Sequence, residues 1–274
     1  MTHTSERKTE DMLRGVSSDD AERFNTLGLS HVDRGILPSE MHAACAIMKR
    51  LGVKRIIESG RWLGFSTEAL AAYFKDEDVH IDSIEFVRNE RGIECEKRLA
   101  PYKKVRLYYG DAKLLLPGLL AQQKDIPTAI LLDGPKGELA VRILKEVLSE
   151  YNTIVVAFIH DTYAGSEGRI AVEREFPDAV FTDDIAFLSN FSHLDKDISI
   201  GTVHPEKYSG TIATYPQKSY GPTLAIISSP FTGNPVGILK RILHIQLFWF
   251  GLLQAFVHAQ VLRVGKYFRS ILSR

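Results

Sequence analysis

The stretch RIIESGRWLGFSTEAL, residues 55–70, joins an apolar, β-branched run to a helical pattern through a turn with two glycines. The run ends near an acid, Glu58, and the turn places Trp62 between Gly60 and Gly64. Strand, glycine turn and helix in this order are typical of the first unit of a parallel α/β sheet. The stretch therefore predicts a buried strand whose carboxyl end opens onto a loop, where open sheets of this kind bind ligands.

The same alternation of strand and helix patterns continues along the chain. Five apolar runs, separated by helical patterns, predict strands at 53–59, 79–86, 104–112, 127–134 and 152–161. Two weaker runs, 178–184 and 222–229, add two more strands. Helices of this length between strands make right-handed crossovers. The predicted fold class is therefore α/β, a doubly wound, mostly parallel, seven-stranded Rossmann-like sheet.

The segments on either side of this sheet differ from it in pattern. SEMHAACAIMKRLG, residues 39–52, predicts an amphipathic helix that Ser39 caps, and the residues before it are polar with weak helical patterning. We divide the chain into an N-terminal helical or flexible segment (1–38), the sheet domain (39–230) and a basic amphipathic helix (231–274).

Charge and cysteine content limit the classes of function. The 274 residues have a formal net charge of zero, but the six basic residues after position 230 have no acid beside them, so residues 1–230 carry a net −6. An acidic body without a basic, aromatic patch argues against nucleic-acid binding. Cys45 and Cys95 have no metal or redox spacing, and the N-terminus has no apolar signal segment. We therefore expect a cytoplasmic protein with reduced cysteines.

Acidic residues mark the ends of the first five predicted strands. They are Glu58, Glu85, Asp111, Asp133 and Asp161. Because the carboxyl ends of parallel strands meet at one edge of a sheet, we expect these acids to cluster at a ligand-binding site.

Two phosphate-binding motifs are absent. A dinucleotide fingerprint needs a glycine where this chain has Trp62, so a nicotinamide-dependent oxidoreductase is disfavoured. The segment DGPKGEL lacks the spacing of a P-loop.

The motifs ESGRWLGFS, Glu85 and GDA at 110–112 occur in an order that resembles class I S-adenosylmethionine-dependent methyltransferases. The resemblance covers about residues 35–230 and is to the catechol and caffeoyl-CoA O-methyltransferase branch. It implies that S-adenosylmethionine is the cofactor, with its methionine part in the first loop, its ribose hydroxyls on Glu85 and its adenine beside GDA. The cofactor-binding residues that it implies are Glu58, Gly60, Arg61, Trp62, Gly64, Ser66, Glu85, Gly110, Asp111, Ala112 and Asp133.

Simpler roles are open for several of these residues. The glycines can be turn residues with positive φ. Trp62 either plugs the start of the following helix or lines the cofactor pocket. Asp111 either caps a helix or binds the cofactor.

The resemblance also implies a catalytic set at the ends of the fourth and fifth strands. Mg²⁺ would be held by Asp133, Asp161 and the residue after it, which is usually Asn in the family and is Thr162 here. Lys136 stands where the catechol enzymes have a general-base lysine, whose pKa would be lowered by desolvation near a cation. His160, next to Asp161, is the rival base, and both Lys136 and His160 have purely structural alternatives.

A loop rich in Gly, Pro and Tyr follows at 201–222. A connection of this length is often functional. Its tyrosines, Tyr208, Tyr215 and Tyr220, either line an acceptor pocket or lie on the surface.

The tail contains 21 residues without a charge, 242–262, between basic residues. A helical wheel puts His244 and Gly251 with polar residues on one face, and Trp249, Phe256 and Val257 elsewhere. This pattern favours a helix that lies in the membrane interface through 238–274, over a partner or homodimer helix and over a membrane span.

These patterns lead to one main functional hypothesis. It is S-adenosylmethionine-dependent methyl transfer to a hydroxyl of a small or lipid-linked acceptor, at the inner face of a membrane. The alternative is a non-catalytic protein of the same fold that binds a ligand or docks on a membrane.

Overall fold

The computed structural model describes most of the chain. The described residues are 3–32, 35–122, 125–196, 198, 221–229 and 238–272. Residues 201–220 of the predicted loop, with Tyr208, Tyr215 and Tyr220, lie outside them.

The described strands form one seven-stranded sheet in the order β3-β2-β1-β4-β5-β7-β6. The first five strands are parallel, and β7 runs antiparallel to both β5 and β6. The predicted fold class and all seven predicted strands are confirmed, although the sixth is only two residues long. The strands are β1 Arg55–Ser59, β2 His80–Glu85, β3 Val105–Tyr109, β4 Thr128–Leu132, β5 Ile154–Ile159, β6 Val180–Phe181 and β7 Ala225–Ser228.

Helices cover both faces of this sheet. Helices α1 to α4 and α9 lie against one face, and α6, α7, α8 and α10 lie against the other. The helices are α1 His3–Arg14, α2 Ser18–Asn25, α3 Pro38–Arg50, α4 Phe65–Tyr73, α5 Glu90–Leu99, α6 Ala112–Gln122, α7 Gly137–Glu150, α8 Glu167–Glu175, α9 Ile185–Phe191 and α10 Ile238–Leu272.

Two hydrophobic cores explain why the strands are apolar without alternation. Neighbouring residues of a strand point to opposite faces. Ile56 therefore lies in the core with α3 and α4, and Ile57 lies in the core with α6 and α7. Both side chains have no exposed surface. Because both faces of β1 are buried, its carboxyl end is the part that can present polar groups to solvent.

The predicted cap of the helix before the sheet is wrong by two residues. Helix α3 begins at Pro38, with Leu37 at the cap position, because proline fits the first helical turn, where no N–H is needed. Ser39 is instead buried, and its backbone N–H and hydroxyl donate to the Asp195 carboxylate at 2.9 and 2.6 Å. Ser39 therefore ties α3 to the turn after α9.

The tail helix α10 packs along α6. Gly118 allows this approach, because a Cβ there would overlap Phe248, and a Cβ at Gly251 would lie 3.2 Å from Leu115. His244 contacts the Tyr151 hydroxyl through Nδ1 at 2.6 Å. His244 and Gly251 therefore do not belong to an exposed polar face, as predicted, but pack against the sheet domain. His244 fits there because it is hydrogen-bonded, and Gly251 because it has no side chain.

The opposite side of α10 is apolar and exposed. Its large side chains each have about half or more of their surface accessible: Ile242, Leu243, Trp249, Phe250, Leu253, Phe256, Val257 and Val261. The stretch Lys240–Val261 is long and apolar enough to cross a membrane, by length and composition only.

Candidate functional site

The loops at the carboxyl edge of the sheet are joined by backbone hydrogen bonds. Gly60 N donates to Ile84 O at 2.9 Å, and Gly110 N donates to Glu85 O at 3.0 Å. On the other side, Asp133 N donates to Ser59 O at 2.7 Å. The ends of β1, β2, β3 and β4 therefore form one continuous edge, as the positions of the acids predicted.

The turn after β1 is shaped by close backbone contacts. Gly60 has a φ of +90° and lies so near the backbone of Asp133 and Gly134 that a Cβ would overlap them. Gly64 has a φ of +82° and precedes α4, where a Cβ would overlap the Cys95 sulfur. These two glycines are therefore required by the turn itself, whatever the loop binds.

Trp62 lies at the tip of this turn with a φ of +49°, unusual for a bulky residue. Its backbone N–H donates to Glu85 Oε2 at 2.8 Å, which fixes the conformation. Its ring is partly exposed and carries the Arg91 guanidinium 4.7 Å from its centroid. Trp62 is therefore not a buried plug, and its place in a cofactor pocket stays a prediction.

Glu58 does not face the loop, contrary to its predicted place among the cofactor-binding residues. It is fully buried, and its carboxylate accepts hydrogen bonds of 2.5 Å from the hydroxyls of Ser66, Thr67 and Ser83. Burial raises the pKa of Glu58. Glu58 and Ser66 therefore hold the start of α4 against β1 and β2 instead of contacting a ligand.

Arg61 also points into the protein. Its side chain is 1% exposed, donates to the Ser83 carbonyl at 2.8 Å and stacks over the Tyr109 ring at 4.5 Å. The prediction that it binds the methionine part of the cofactor is wrong for this side chain, because its guanidinium supports β2 and β3 from below the loop.

Glu85 keeps both an accessible surface and spare acceptor capacity. Oε2 accepts from Trp62 N and Oε1 accepts from Phe86 N, each at 2.8 Å. A carboxylate oxygen has two lone-pair sites, so each oxygen can accept one more hydrogen bond. Phe86, next to Glu85, is 68% exposed. It was not among the predicted site residues, although an aromatic residue directly after a strand-end acid can be recognised in the sequence.

The GDA segment begins α6. Gly110 has a φ of +146°. The exposed Asp111 accepts a hydrogen bond from Lys113 N at 2.9 Å through Oδ1 and lies before the buried Ala112. Asp111 therefore stabilises the first turn of α6, and contact of this segment with a cofactor stays a prediction.

A charged cluster occupies the ends of β4 and β5. Lys136 Nζ contacts Asp133 Oδ1 and lies 2.7 Å from Asp161 Oδ2. The buried His160 places Nδ1 2.6 Å from Asp133 Oδ1. The structure thus brings together the predicted residues Asp133, Lys136, His160 and Asp161.

The charges in this cluster decide which groups carry protons. Burial opposes charge on Lys136 and His160, but the nearby carboxylates outweigh it. They raise the pKa of Lys136, and Asp133 and Asp161 raise the pKa of His160 to about 10. The pKa of Asp133 is lowered: burial would raise it, but Lys136 and His160 outweigh that. In this arrangement neither predicted base is free to accept a proton at neutral pH, and the pKa of Lys136 shifts upward, opposite to the direction expected near a cation.

A second buried carboxylate supports His160 from the other side. Glu40 of α3 is 2% exposed, and its Oε2 lies 3.4 Å from His160 Nε2. It also accepts from Leu37 N at 2.9 Å. Glu40 could not be found from the sequence, because helix packing brings it to the end of β5 from far away in the chain.

Thr162 is not placed to bind a metal ion. It is fully buried and its hydroxyl donates to the Thr223 carbonyl at 3.1 Å, toward β7. Since the hydroxyl is used inside the sheet, the prediction that it replaces the third Mg²⁺ ligand is wrong. The residues at this edge that can offer metal ligands to one point are Asp133, His160 and Asp161.

Comparisons with known proteins concern the fold. No protein-family model matches the chain, and no curated protein matches it. Solved structures similar to it include the methyltransferase PaMTH1 from Podospora anserina with S-adenosylhomocysteine bound, 14% identical over 83% of this chain and 96% of that one, with a TM-score of 0.43.

Two further similar structures are O-methyltransferases. TomG from Streptomyces achromogenes, in complex with S-adenosylmethionine, is 15% identical over 77% of this chain and 88% of that one, with a TM-score of 0.43. The enzyme from Bacillus cereus, in complex with S-adenosylhomocysteine, is 14% identical over 83% of this chain and 100% of that one, with a TM-score of 0.43. This chain's own sheet is seven-stranded and mostly parallel, with one strand, β7, antiparallel to its neighbours.

Proposed function

We propose that this chain transfers a methyl group from S-adenosylmethionine to a hydroxyl of a small or lipid-linked acceptor. The observation that carries the proposal is the joined carboxyl edge. Gly60 contacts both the end of β2, which bears Glu85, and the end of β4, which bears the Asp133–Lys136–Asp161 cluster. A cofactor on Glu85 and an acceptor at Lys136 would therefore be neighbours.

The β2 side fits the cofactor chemically. The spare lone pairs of Glu85 can accept from the two hydroxyls of a ribose diol, and the exposed ring of Phe86 offers an apolar face beside them. When bound, S-adenosylmethionine supplies a methyl group on a positively charged sulfur.

The β4–β5 side fits an oxygen acceptor. The Lys136 ammonium can donate a hydrogen bond to the acceptor oxygen and stabilise its developing negative charge. Asp161, with a third of its side chain exposed, can take the hydroxyl proton. With the cofactor bound, the new C–O bond would form as the C–S bond breaks, the electron pair of the broken bond would stay on sulfur, and the acceptor proton would pass to Asp161.

The second candidate is a protein of this fold that binds the cofactor without turnover. It is favoured by the ion pairs that hold both predicted bases, Lys136 and His160, in their charged forms. Methylation of any hydroxylated acceptor would rule it out.

The first experiment is calorimetric binding of S-adenosylmethionine to the full chain. We expect binding by the wild type and about 100-fold weaker binding by Glu85→Ala, because charge-assisted hydrogen bonds to two hydroxyls are lost. Glu94→Ala removes an exposed acid from α5 and serves as the matched control.

Turnover is then measured as S-adenosylhomocysteine formed with single-ring phenols, vicinal diols and their isoprenoid-linked forms. No cofactor binding by the folded wild type would reject the proposal. Binding without turnover of any acceptor would leave the binding protein as the better description.

We propose further that α10 rests on an anionic lipid surface. Eight large apolar side chains are exposed on its free side, and the residues after position 230 contain six basic groups and no acid. Apolar contact combined with basic ends is the pattern of helices that lie in the interface of the cytoplasmic leaflet.

Flotation with phosphatidylcholine vesicles, with and without phosphatidylglycerol, tests this placement. We expect binding that depends on the anionic lipid and falls about 10-fold in Trp249→Ser/Phe256→Ser, because apolar burial is lost. Ile170→Ser changes an equally exposed apolar residue on α8 and should leave binding unchanged. The proposal that α10 rests on lipid would be overturned if the chain does not bind vesicles and instead forms dimers that the same double substitution disrupts.

A further inference from the structure

Lys136 places its ammonium group between the acids that follow β4 and β5. Its Nζ contacts Asp133 Oδ1 and lies 2.7 Å from Asp161 Oδ2. One ligand atom from each of Asp133, His160 and Asp161 lies within 4.8 Å of the other two. A metal ion coordinated by the two oxygens that contact Lys136 would occupy the space that Nζ fills.

The other donors at this edge are already engaged by protein groups. His160 directs Nδ1 to Asp133 at 2.6 Å and Nε2 toward Glu40. The Thr162 hydroxyl donates to the Thr223 carbonyl, away from the two acids. Because Mg²⁺ demands a nearly octahedral set of oxygen ligands, this donor set does not fit the ion while Lys136 is in place.

The charges lead to the same conclusion. Asp133 and Asp161 bring two negative charges close enough to contact one ammonium group. A divalent cation next to that ammonium would be repelled at short range. Without the ammonium, the two carboxylates would share only His160, whose Nδ1 lies 2.6 Å from Asp133 Oδ1 and 3.7 Å from Asp161 Oδ1. The remaining negative charge is what a hard cation relieves.

We propose that the Lys136 ammonium takes the place of a divalent metal ion between Asp133 and Asp161, and that removing it opens a divalent-cation site. The positive charge at this edge is then supplied by a side chain of the protein instead of by an exchangeable metal ion. The proposal concerns cation binding by the chain and stands whether or not methyl transfer is found.

The test is Mn²⁺ binding by the full-length chain, followed by the electron paramagnetic resonance signal of free Mn²⁺. We expect no saturable site in the micromolar range for the wild type. Lys136→Met should bind one Mn²⁺ about 100-fold more tightly, because a positive charge is lost beside two carboxylates. Lys136→Met/Asp161→Asn should lose that gain.

Lys145→Met is the matched control. It removes an ammonium from α7, the helix that Lys136 precedes, but one that contacts the single carboxylate of Glu175, so it should behave as the wild type. Micromolar binding of one Mn²⁺ by the wild type would overturn the proposal. So would a folded Lys136→Met chain, checked by circular dichroism, that gains no binding. If that variant does not fold, Lys136→Gln takes its place.

Discussion

The two halves of the carboxyl edge are built from different interactions. On the β1–β2 side, neutral donors hold the acids: hydroxyls surround Glu58, and backbone N–H groups hold Glu85. On the β4–β5 side, charged groups hold them, with Lys136 between Asp133 and Asp161. Neutral donors keep a loop in shape over a wide pH range, whereas ion pairs make the shape depend on protonation. We therefore expect the β1–β2 side to keep its shape over a wide pH range and the β4–β5 side to change with protonation.

The largest effect is expected from Asp161→Asn. If Asp161 takes the acceptor proton, kcat should fall about 1,000-fold, since general-base catalysis contributes that order of magnitude. The Kd for S-adenosylmethionine should stay within about twofold of the wild type, because the β2 side does not depend on this charge. Turnover and calorimetry on the same protein preparation measure the two quantities.

The matched control for Asp161→Asn is Asp178→Asn, an acid in the turn before β6 and away from the cluster. Equal losses of cofactor affinity and kcat in Asp161→Asn would show that the β1–β2 and β4–β5 sides do not act independently.

The next effect is expected from His160→Gln, measured as the free energy of unfolding in urea at several pH values. The folded pKa of His160 is raised from its ordinary 6.5 to about 10, so its stabilisation is complete below pH 6.5 and is lost as the pH rises through about 10. The variant should be less stable at pH 7 by on the order of 3 kcal/mol. Its deficit should shrink between pH 6.5 and 10.

His80→Gln is the control for this series, because His80 is about half exposed at the start of β2. A deficit in His160→Gln that is constant with pH would mean that His160 is held as a neutral ring.

The smallest effect is expected from Glu58→Gln. Burial raises the folded pKa of Glu58 above its ordinary 4.5, so the wild type loses stability as the pH rises from 4.5 toward that folded pKa. The variant lacks this loss. Its free energy of unfolding should lie within about 1 kcal/mol of that of the wild type at pH 7, because it loses a hydrogen bond but no longer buries a negative charge. The free energy of unfolding of the variant should fall furthest below that of the wild type at pH values under 4.5.

Urea unfolding of Glu58→Gln and Glu94→Gln side by side isolates the buried position. A deficit in Glu58→Gln that grows as the pH rises above 4.5 would show that the β1–β2 side also depends on a charge.

The sheet could be predicted because its information is local. Ile56 and Ile57 belong to a continuous apolar run, and Glu58 and Gly60 mark where it stops, so strand, turn and helix can be read from neighbouring residues. The grouping of Asp133 with Asp161 followed from topology alone, because parallel strands end at one edge.

The roles of individual side chains could not be predicted, since they depend on which way each group turns after packing. Glu58 and Glu85 both end strands, yet one is enclosed by hydroxyls and the other keeps its lone pairs accessible. Glu40 reaches His160 from α3, and no spacing in the sequence relates the two. The charge state of Lys136 follows from contacts that a linear motif does not contain.

The fit of α10 against α6 determines where a useful fragment of this chain can end. Phe248 is 3% exposed where it covers Gly118, and Tyr108 packs against its ring. A fragment that stops at residue 230 would uncover this apolar strip of α6, and uncovered strips of this kind cause aggregation. The smallest soluble, cooperatively folding unit that we expect therefore includes α10, and point substitutions on its free side are a cleaner tool than truncation for separating membrane attachment from folding.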